Sequence, residues 1–200
     1  MENKTPHNIK MSKKIIRENL RNLLLEKKGD THDYGCVMFF FDISKKKWDE
    51  TLSMIDDDDV YNVEGDKSYG IEDEPHVTLL YGLHDTIPDE KIKEISNKLE
   101  IIELKLKKIS IFENEKFDVV KFDIIGDSKT KLSKINSEFA KLPHTTDYPD
   151  YHPHSTLFYA KKGKGKDYIK TLSDDDAISV TCKKVVYSKA DGSKLTYKLK

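Results

Sequence analysis

Histidine and threonine recur in two copies of one octapeptide. The first copy, PHVTLLYG, spans residues 75–82, and the second, PHSTLFYA, spans residues 153–160. Because successive side chains of a β-strand point to opposite faces, the histidine and the threonine of each copy share a face. The candidate catalytic residues are therefore His76, Thr78, His154 and Thr156.

These residue types are suited to acid–base chemistry on a phosphate. An unperturbed imidazole has a pKa of about 6.5, so of two facing histidines a neutral one can accept a proton while a charged one donates a proton. The threonine hydroxyls can donate hydrogen bonds to non-bridging phosphoryl oxygens and hold the group between the two rings. This chemistry needs no metal ion, and we expect neither a metal nor another cofactor.

The prediction of a site depends on the strand in which each His-x-Thr lies more than on the His-x-Thr sequence itself. A third Pro-His-x-Thr occurs at residues 143–146, but it is followed by DYPD, which is typical of a loop. An alternative interpretation is that duplication left two similar core strands with hydrogen-bonded histidines. We favour a functional role, because each buried polar group without a partner would cost about 1–3 kcal/mol, and convergent titratable groups mark sites.

The opposite face of both copies is mostly apolar. It carries Val77, Leu79 and Tyr81 in the first copy and Ser155, Leu157 and Tyr159 in the second. We expect this face to pack beneath helices.

Hydrophobic periodicity predicts further strands and helices around the two motifs. Helical patterns occupy residues 12–28, 45–55, 88–99, 129–142 and 167–172, the fourth preceded by an N-cap within residues 126–128. Strand patterns occupy residues 34–42, 101–112, 117–125, 177–187 and 194–199. This order predicts an α+β fold from a duplicated unit, with two antiparallel sheets facing across a central cleft and helices outside. Residues 1–10 are expected to be a flexible segment, and residues 11–200 a single two-lobed domain.

The composition restricts the class of protein. With 35 basic against 36 acidic residues in 200, the chain lacks the basic excess of a protein that coats long nucleic acid. No apolar run is long enough to cross a bilayer, and the first residues lack the apolar core of a signal peptide. We therefore expect a soluble, cytoplasmic protein without membrane contact. Cys36 and Cys182 lie in separate apolar runs, which favours free thiols over a disulfide.

Three further residues are candidates for ligand binding. Tyr34, at the mouth of the first strand, could stack on a nucleobase, and Tyr151 beside the second motif is a weaker candidate of the same kind. Lys161 begins a loop of alternating lysines and glycines that could meet ligand phosphates. The alternatives are half-buried tyrosines and a solvated, mobile turn.

Two patterns that suggest metal ligands are weaker. His152 and His154 have a spacing found in zinc sites, with Asp150 nearby, but the first copy carries Glu74 at the position of His152. Residues 56–59 are four adjacent aspartates, which cannot all point at one ion. We expect this run to be a solvated loop or helix end.

Two His-x-Thr strands in two symmetric lobes resemble the 2H phosphoesterases. That superfamily includes 2′,3′-cyclic phosphodiesterases, RNA-end-processing enzymes and phosphodiesterases that destroy signalling oligonucleotides. The resemblance implies that the four motif residues are catalytic and that the fold has two lobes.

A narrower similarity rests on the stretches YGCVMFFFD at 34–42, SYGIEDEPHVTLLYGLH at 68–84 and YHPHSTLFYAKK at 151–162. Together they resemble the phage anti-CBASS nucleases, which cleave the cyclic oligonucleotides that bacteria use as antiviral alarms. The resemblance implies opening of a 3′-5′ linkage in a cyclic oligonucleotide, inside an infected bacterial host. The alternatives are a 2′,3′-cyclic phosphodiesterase or RNA-end processor on the same scaffold, and a non-catalytic nucleotide sponge. The residues alone leave the acid and base roles and the oligomeric state open.

Overall fold

The computed structural model describes residues 32–43, 45–66, 69–146, 150–172 and 177–200. The strands are β1 Tyr34–Asp42, β2 His76–His84, β3 Ile102–Glu113, β4 Phe117–Ile124, β5 His154–Lys161, β6 Ile178–Ser188 and β7 Lys194–Lys198. The helices are α1 Lys45–Leu52, α2 Asp89–Ser96, α3 Asp127–Phe139 and α4 Gly165–Thr171, with a 3₁₀ helix at Asp57–Asp59. The predicted flexible segment at 1–10 and helix at 12–28 lie outside the described residues.

Within these residues, seven antiparallel strands form one sheet in the order β2-β1-β6-β3-β4-β5, and β7 pairs with β6 outside that path. The α+β class is confirmed, but the sheet is continuous where two sheets were expected. The reason is that β3 pairs with the first half of β6, from Ile102 opposite Cys182 to Leu106 opposite Ile178. These four side chains are buried in the core, which therefore runs across both halves without a break.

The two motif strands, β2 and β5, occupy the ends of this sheet order, yet they contact each other. The sheet must therefore curve back on itself, as β-bulges allow. Both motif copies carry a bulge at the same place, since the pairing of β2 with β1 skips Leu79 and the pairing of β5 with β4 skips Leu157. The two motif copies are therefore similar in the position of their β-bulge as well as in sequence.

The bulges correct the prediction for the tyrosines of the motif. Val77, Leu79, Ser155 and Leu157 are fully buried on the core face, as expected. One extra residue reverses the alternation that follows it, so Tyr81 and Tyr159 return to the face of the histidines. Both tyrosines are accordingly half-buried rather than part of the core.

Each motif strand is covered at its outer edge by the segment that leads to the other motif strand. On the β5 edge, the amide of Glu72 donates to the carbonyl of Leu157 at 2.8 Å, just before β2 begins. On the β2 edge, the amide of Thr145 donates to the carbonyl of Gly82 at 2.9 Å. Gly82 has a φ of 88°, and a Cβ there would lie 1.8 Å from the Thr145 oxygen. Only glycine fits this approach.

Helix α3 begins two residues earlier than the sequence pattern predicts. Gly126 precedes it with a φ of 63° and provides no side-chain cap. Ser128 is instead buried beneath β3, where its hydroxyl donates to the carbonyl of Glu103 at 3.2 Å and accepts the amide of Lys105 at 3.3 Å. This serine joins the helix to the sheet.

Both cysteines are free. Burial raises the pKa of Cys36 and of Cys182 to about 12, so both carry their protons at neutral pH. No helix in the described ranges has the length and apolar character that a membrane crossing requires.

Candidate active site

His76 and His154 are held in the same way. The Nδ1 atom of His76 lies 2.8 Å from the carbonyl oxygen of Glu74, and Nδ1 of His154 lies 2.7 Å from that of His152. A carbonyl oxygen only accepts hydrogen bonds, so Nδ1 carries a proton in both rings. Each Nε2 is therefore the atom that accepts a proton from the neutral ring or donates one from the charged ring.

A phenylalanine and a lysine accompany each histidine. The ring of Phe112 meets that of His154 edge-on at 5.0 Å, and the ammonium of Lys121 lies 4.1 Å from the centre of the same phenylalanine ring. In the other half, Phe40 lies opposite His76 in the β1–β2 pairing, with ring centres 5.4 Å apart. The Phe40 ring faces two ammonium groups, which belong to Lys184 and Lys194, at 5.8 and 5.5 Å. Both halves therefore place a lysine near the histidine, and Lys194 also pairs with Glu74 at 3.0 Å.

The two histidines differ in their electrostatic surroundings. Burial lowers the pKa of His154 to about 4, and repulsion by Lys121 and by His76 acts in the same direction. A Glu72 carboxylate oxygen lies 3.8 Å from Nδ1 of His76. The two strands that carry the imidazoles contact each other. At neutral pH the His154 ring is neutral and can accept a proton.

Thr78 and Thr156 are half-buried on the same faces as their histidines. Thr156 lies opposite Lys121 in the β4–β5 pairing, and Thr78 lies opposite Met38 in the β1–β2 pairing. Both hydroxyls thus accompany the imidazoles on the exposed side of the sheet, where a phosphate can reach them.

A buried polar network supports the second half of the site. The ammonium of Lys121 donates to Asp123 Oδ1 at 2.6 Å and to Ser110 Oγ at 2.7 Å, and the serine hydroxyl donates to the same carboxylate oxygen at 2.7 Å. Burial opposes ionisation of Asp123, but these hydrogen bonds outweigh it and lower the pKa of the carboxyl group. Because Asp123 pairs with His154 across β4 and β5, the network fixes the strand beside the histidine.

Sequence reasoning missed this network. The signal was present in FDVVKFDI, where Lys121 and Asp123 stand at alternate positions among mostly apolar residues. Two charged side chains on one face of a buried strand indicate a polar surface there.

Comparison with known proteins agrees with this geometry. The model of the 2′-5′ RNA ligase superfamily matches residues 56–194, a range that contains both His-x-Thr strands. The chain belongs to this superfamily of 2H phosphoesterases. No curated protein matches the sequence.

The fold of this 2H phosphoesterase is similar to that of solved structures. Usb1 of Kluyveromyces marxianus is 12% identical to this chain, with a TM-score of 0.57 over 84% of this chain and 99% of Usb1. The same protein with uridine monophosphate gives the same values. E. coli LigT with 3′-AMP is 16% identical, with a TM-score of 0.48 over 83% of this chain and 96% of LigT.

Tyr34, a ligand-binding candidate on this 2H phosphoesterase, lies at the start of β1, far from the residue that pairs with His76. It pairs with His84, whereas Phe40 pairs with His76. Six residues of strand separate Tyr34 from Phe40, which corresponds to about 20 Å at about 3.3 Å per residue. The Tyr34 ring is tilted against His84 at 6.1 Å. The structure therefore does not bring Tyr34 to the motif histidines.

Tyr151 lies beside the first motif strand instead of facing open solvent. Its hydroxyl donates to the carbonyl of Thr78 at 2.8 Å, and burial raises the pKa of the phenol above its usual range. This contact crosses from one motif to the other.

Lys161 and the lysines that follow it are engaged by neighbouring groups. The ammonium of Lys161 donates to the carbonyl of Asp58. Lys162 pairs with the buried Asp118 at 3.1 Å, and Lys164 pairs with Asp59 at 2.9 Å. Lys161 and Lys164 therefore attach this loop to the acidic segment before β2, and Lys162 attaches it to β4, so these lysines are not held open for a ligand.

The structure also shows where the third Pro-His-x-Thr and the possible metal ligands lie. The backbone of His144 forms an isolated bridge with Leu83 and belongs to no strand, so the third Pro-His-x-Thr lies in a loop, as predicted. In the parts of the chain that the structure describes, no group of three histidine, cysteine or carboxylate side chains could hold a metal ion. His152 lines a cavity and does not share a ligand cluster with His154.

Proposed function

We propose that this protein is a metal-independent phosphodiesterase that hydrolyses 3′-5′ linkages in cyclic di- and trinucleotide messengers and so counteracts CBASS signalling. The observation that carries the proposal is the matched pair of imidazoles, each with Nδ1–H on a carbonyl oxygen and Nε2 available. The similarity of the motif strands and of β1 to the anti-CBASS nucleases supports the choice of a cyclic substrate.

The low pKa of His154 supports a role for this ring as the base in the first step, with His76 as the acid. Nε2 of the neutral His154 takes the proton from the ribose 2′-hydroxyl, whose oxygen then attacks phosphorus. The bond from phosphorus to the 5′ oxygen breaks, and the protonated His76 gives its Nε2 proton to that oxygen. Thr78 and Thr156 donate hydrogen bonds to the non-bridging oxygens as negative charge develops. The product of this step is a 2′,3′-cyclic phosphate.

Hydrolysis follows with the roles reversed. His76, now neutral, accepts a proton from water as the water oxygen attacks the cyclic phosphate. His154, now protonated, returns a proton to the 2′ oxygen. Both histidines regain their initial states, and no proton is gained or lost over the cycle.

The decisive experiment incubates the protein with 3′,5′-cyclic di- and trinucleotides in a chelator. We expect cleavage by the wild type, and loss of at least about 100-fold in rate for His76→Ala and for His154→Ala, since each general acid–base step contributes about 10²–10⁴-fold. His144→Gln is the matched control, because this histidine belongs to the third Pro-His-x-Thr and should leave the rate unchanged. Substrates with 2′-deoxyribose at the scissile linkage should resist cleavage, and their cleavage would contradict a 2′-hydroxyl nucleophile.

The second candidate is a 2′,3′-cyclic phosphodiesterase or RNA-end processor. It is favoured by the fold likeness to Usb1, which has been solved with uridine monophosphate. RNA ending in a 2′,3′-cyclic phosphate should be included in the same assay. Cleavage of the RNA end alone would establish the second candidate, and capture of cyclic nucleotides without any cleavage would establish a sponge.

A further inference from the structure

A cavity of about 440 Å³ opens beside the second motif histidine. It is lined by Lys108, Phe112, Lys121, Asp123, Ile124, Ile125, Gly126, Lys129, His152 and Pro153. Phe112 and Lys121 also surround His154, so the cavity and the histidine share a wall. None of the four motif residues lines it, which makes the cavity a neighbour of the reaction centre and a separate space.

The charge of this cavity is strongly positive. Lysines outnumber carboxylates three to one in its lining. The single carboxylate, Asp123, is already engaged by Lys121 at 2.6 Å. Lys108 and Lys129 have no ion pair with any of the residues that the structure describes. Lys108 acts on Asp123 through its charge without forming an ion pair with it, so among the described residues both ammonium groups can face an anion in the cavity.

The backbone at Lys108 gives a second, independent sign of a built site. Its φ is 62°, the one positive value at a non-glycine residue among the described residues. The β3–β4 pairing passes from Lys107 opposite Asp123 to Ile109 opposite Phe122, so Lys108 is an extra residue in a bulge. A left-handed backbone conformation at a lysine costs about 1–2 kcal/mol of conformational free energy. Bulges beside active sites redirect side chains. Here the bulge places Lys108 at the cavity.

We propose that this cavity is a second phosphate subsite, which holds the phosphodiester adjacent to the one cleaved between His76 and His154. Lys108 and Lys129 bind the non-bridging oxygens of that phosphate, and Lys121 contributes charge from the wall shared with His154. The inference rests on the proposed phosphodiesterase function and adds to it a preference for oligonucleotides with at least two linkages. Lys108 and Lys129 are specificity residues in this assignment, since neither contacts the reacting atoms.

The test measures binding of two uncleavable ligands to the full-length wild-type chain by calorimetry. One is the cyclic dimer of 2′-deoxyadenylate, which has two phosphodiesters, and the other is d(ApA), which has one. We expect the wild type to prefer the cyclic dimer. Lys108→Gln combined with Lys129→Gln should weaken binding of the cyclic dimer about tenfold or more, because each lysine donates a charge-assisted hydrogen bond, and should weaken d(ApA) less than about twofold.

Salt dependence provides a readout that a purely structural role would not change. The slope of log Kd against log salt concentration grows with the number of phosphates that lysines neutralise, so the double variant should show a shallower slope for the cyclic dimer only. The control removes the same charge elsewhere, through Lys98→Gln combined with Lys131→Gln, and should match the wild type. The proposal of a second phosphate subsite would be overturned if the wild type bound both ligands with equal affinity. It would also be overturned if the double variant lost affinity for both ligands equally, or for neither.

Failure of the proposed function has a different signature. If the ribonucleotide form of the cyclic dimer is not cleaved by the wild type, the catalytic proposal fails whatever the deoxy ligands show. The subsite fails only through the binding measurements, which involve no cleavage.

Discussion

The hydroxyl of Tyr151 donates a hydrogen bond to the carbonyl oxygen of Thr78 at 2.8 Å. The bond joins the segment that precedes the second motif to the strand of the first motif. It therefore helps to set the distance between the two motif histidines.

Tyr151→Phe removes that hydrogen bond and leaves the carbonyl of Thr78 without this donor. We expect a loss of about 1 kcal/mol in the free energy of unfolding and a several-fold decrease in kcat, because the two imidazoles are held less accurately. Urea denaturation and steady-state kinetics measure the two effects. Tyr197→Phe, in β7, is the control and should change neither, and an unchanged kcat in Tyr151→Phe would show that the bond does not position the site.

The low pKa of His154 predicts an unusual pH profile. A general base acts when neutral, so kcat/KM should fall as pH decreases through about 4, and not near the ordinary histidine value of about 6.5. Lys121→Met removes a positive charge that favours the neutral ring, so the acid limb should move to higher pH. The profile of kcat/KM between pH 3.5 and 8 measures both.

Lys184→Met serves as the control for that experiment, since it removes a lysine near Phe40 in the other half. It should leave the acid limb in place. The assignment of His154 as the base would be contradicted if kcat/KM of the wild type fell at a pH of about 6.5. It would also be contradicted if Lys121→Met did not change the pH at which kcat/KM falls.

Ser155 carries a buried hydroxyl with no hydrogen-bond partner among the described residues. The corresponding position of the first motif is Val77, which is equally buried. Ser155→Val should therefore raise the free energy of unfolding by about 1 kcal/mol, because an unsatisfied hydroxyl is replaced by apolar surface. Ser155→Ala tests the hydroxyl separately from the added volume, and a lower stability in both variants would show that the serine has a partner.

Gly82 and Gly163 separate backbone strain from a steric clash, because both have a φ of 88°. A Cβ at Gly163 meets nothing within 4 Å, whereas one at Gly82 would overlap the Thr145 carbonyl. Gly163→Ala should cost about 1–2 kcal/mol of unfolding free energy, from strain alone. Gly82→Ala should cost at least about 3 kcal/mol, since overpacking adds to the strain. Equal losses in thermal or urea denaturation would mean that the edge of β2 moves freely from the loop.

Much of the fold was predictable where apolar patterning is decisive. The run YGCVMFFFD predicted β1 with the bounds that the structure gives, because an apolar run of this length between polar segments is typical of a strand. The bulges at Leu79 and Leu157 were not predictable, since register depends on the partner strand and each sequence reads as a regular alternation. The faces of Tyr81 and Tyr159 were wrong for that reason.

At the candidate site, too, local features were predictable and features that depend on strand pairing were not. A motif of four residues can be read from local spacing, so the faces of the two His-x-Thr pairs were predicted correctly. The position of Tyr34 relative to His76 depends on the direction and register of β1 against β2, which one sequence does not contain. The cationic cavity escaped notice because Lys108, Lys121 and Lys129 come from a bulge, a strand and a helix that meet only after folding.

The central position of β6 has a consequence for synthesis of the protein. This strand pairs with β1 in one half and β3 in the other, yet it begins only at Ile178. All four motif residues leave the ribosome before the strand that joins their two halves. A nascent or C-terminally truncated chain therefore has both His-x-Thr strands but no continuous sheet to bring them together, and activity appears only when the last strands are complete.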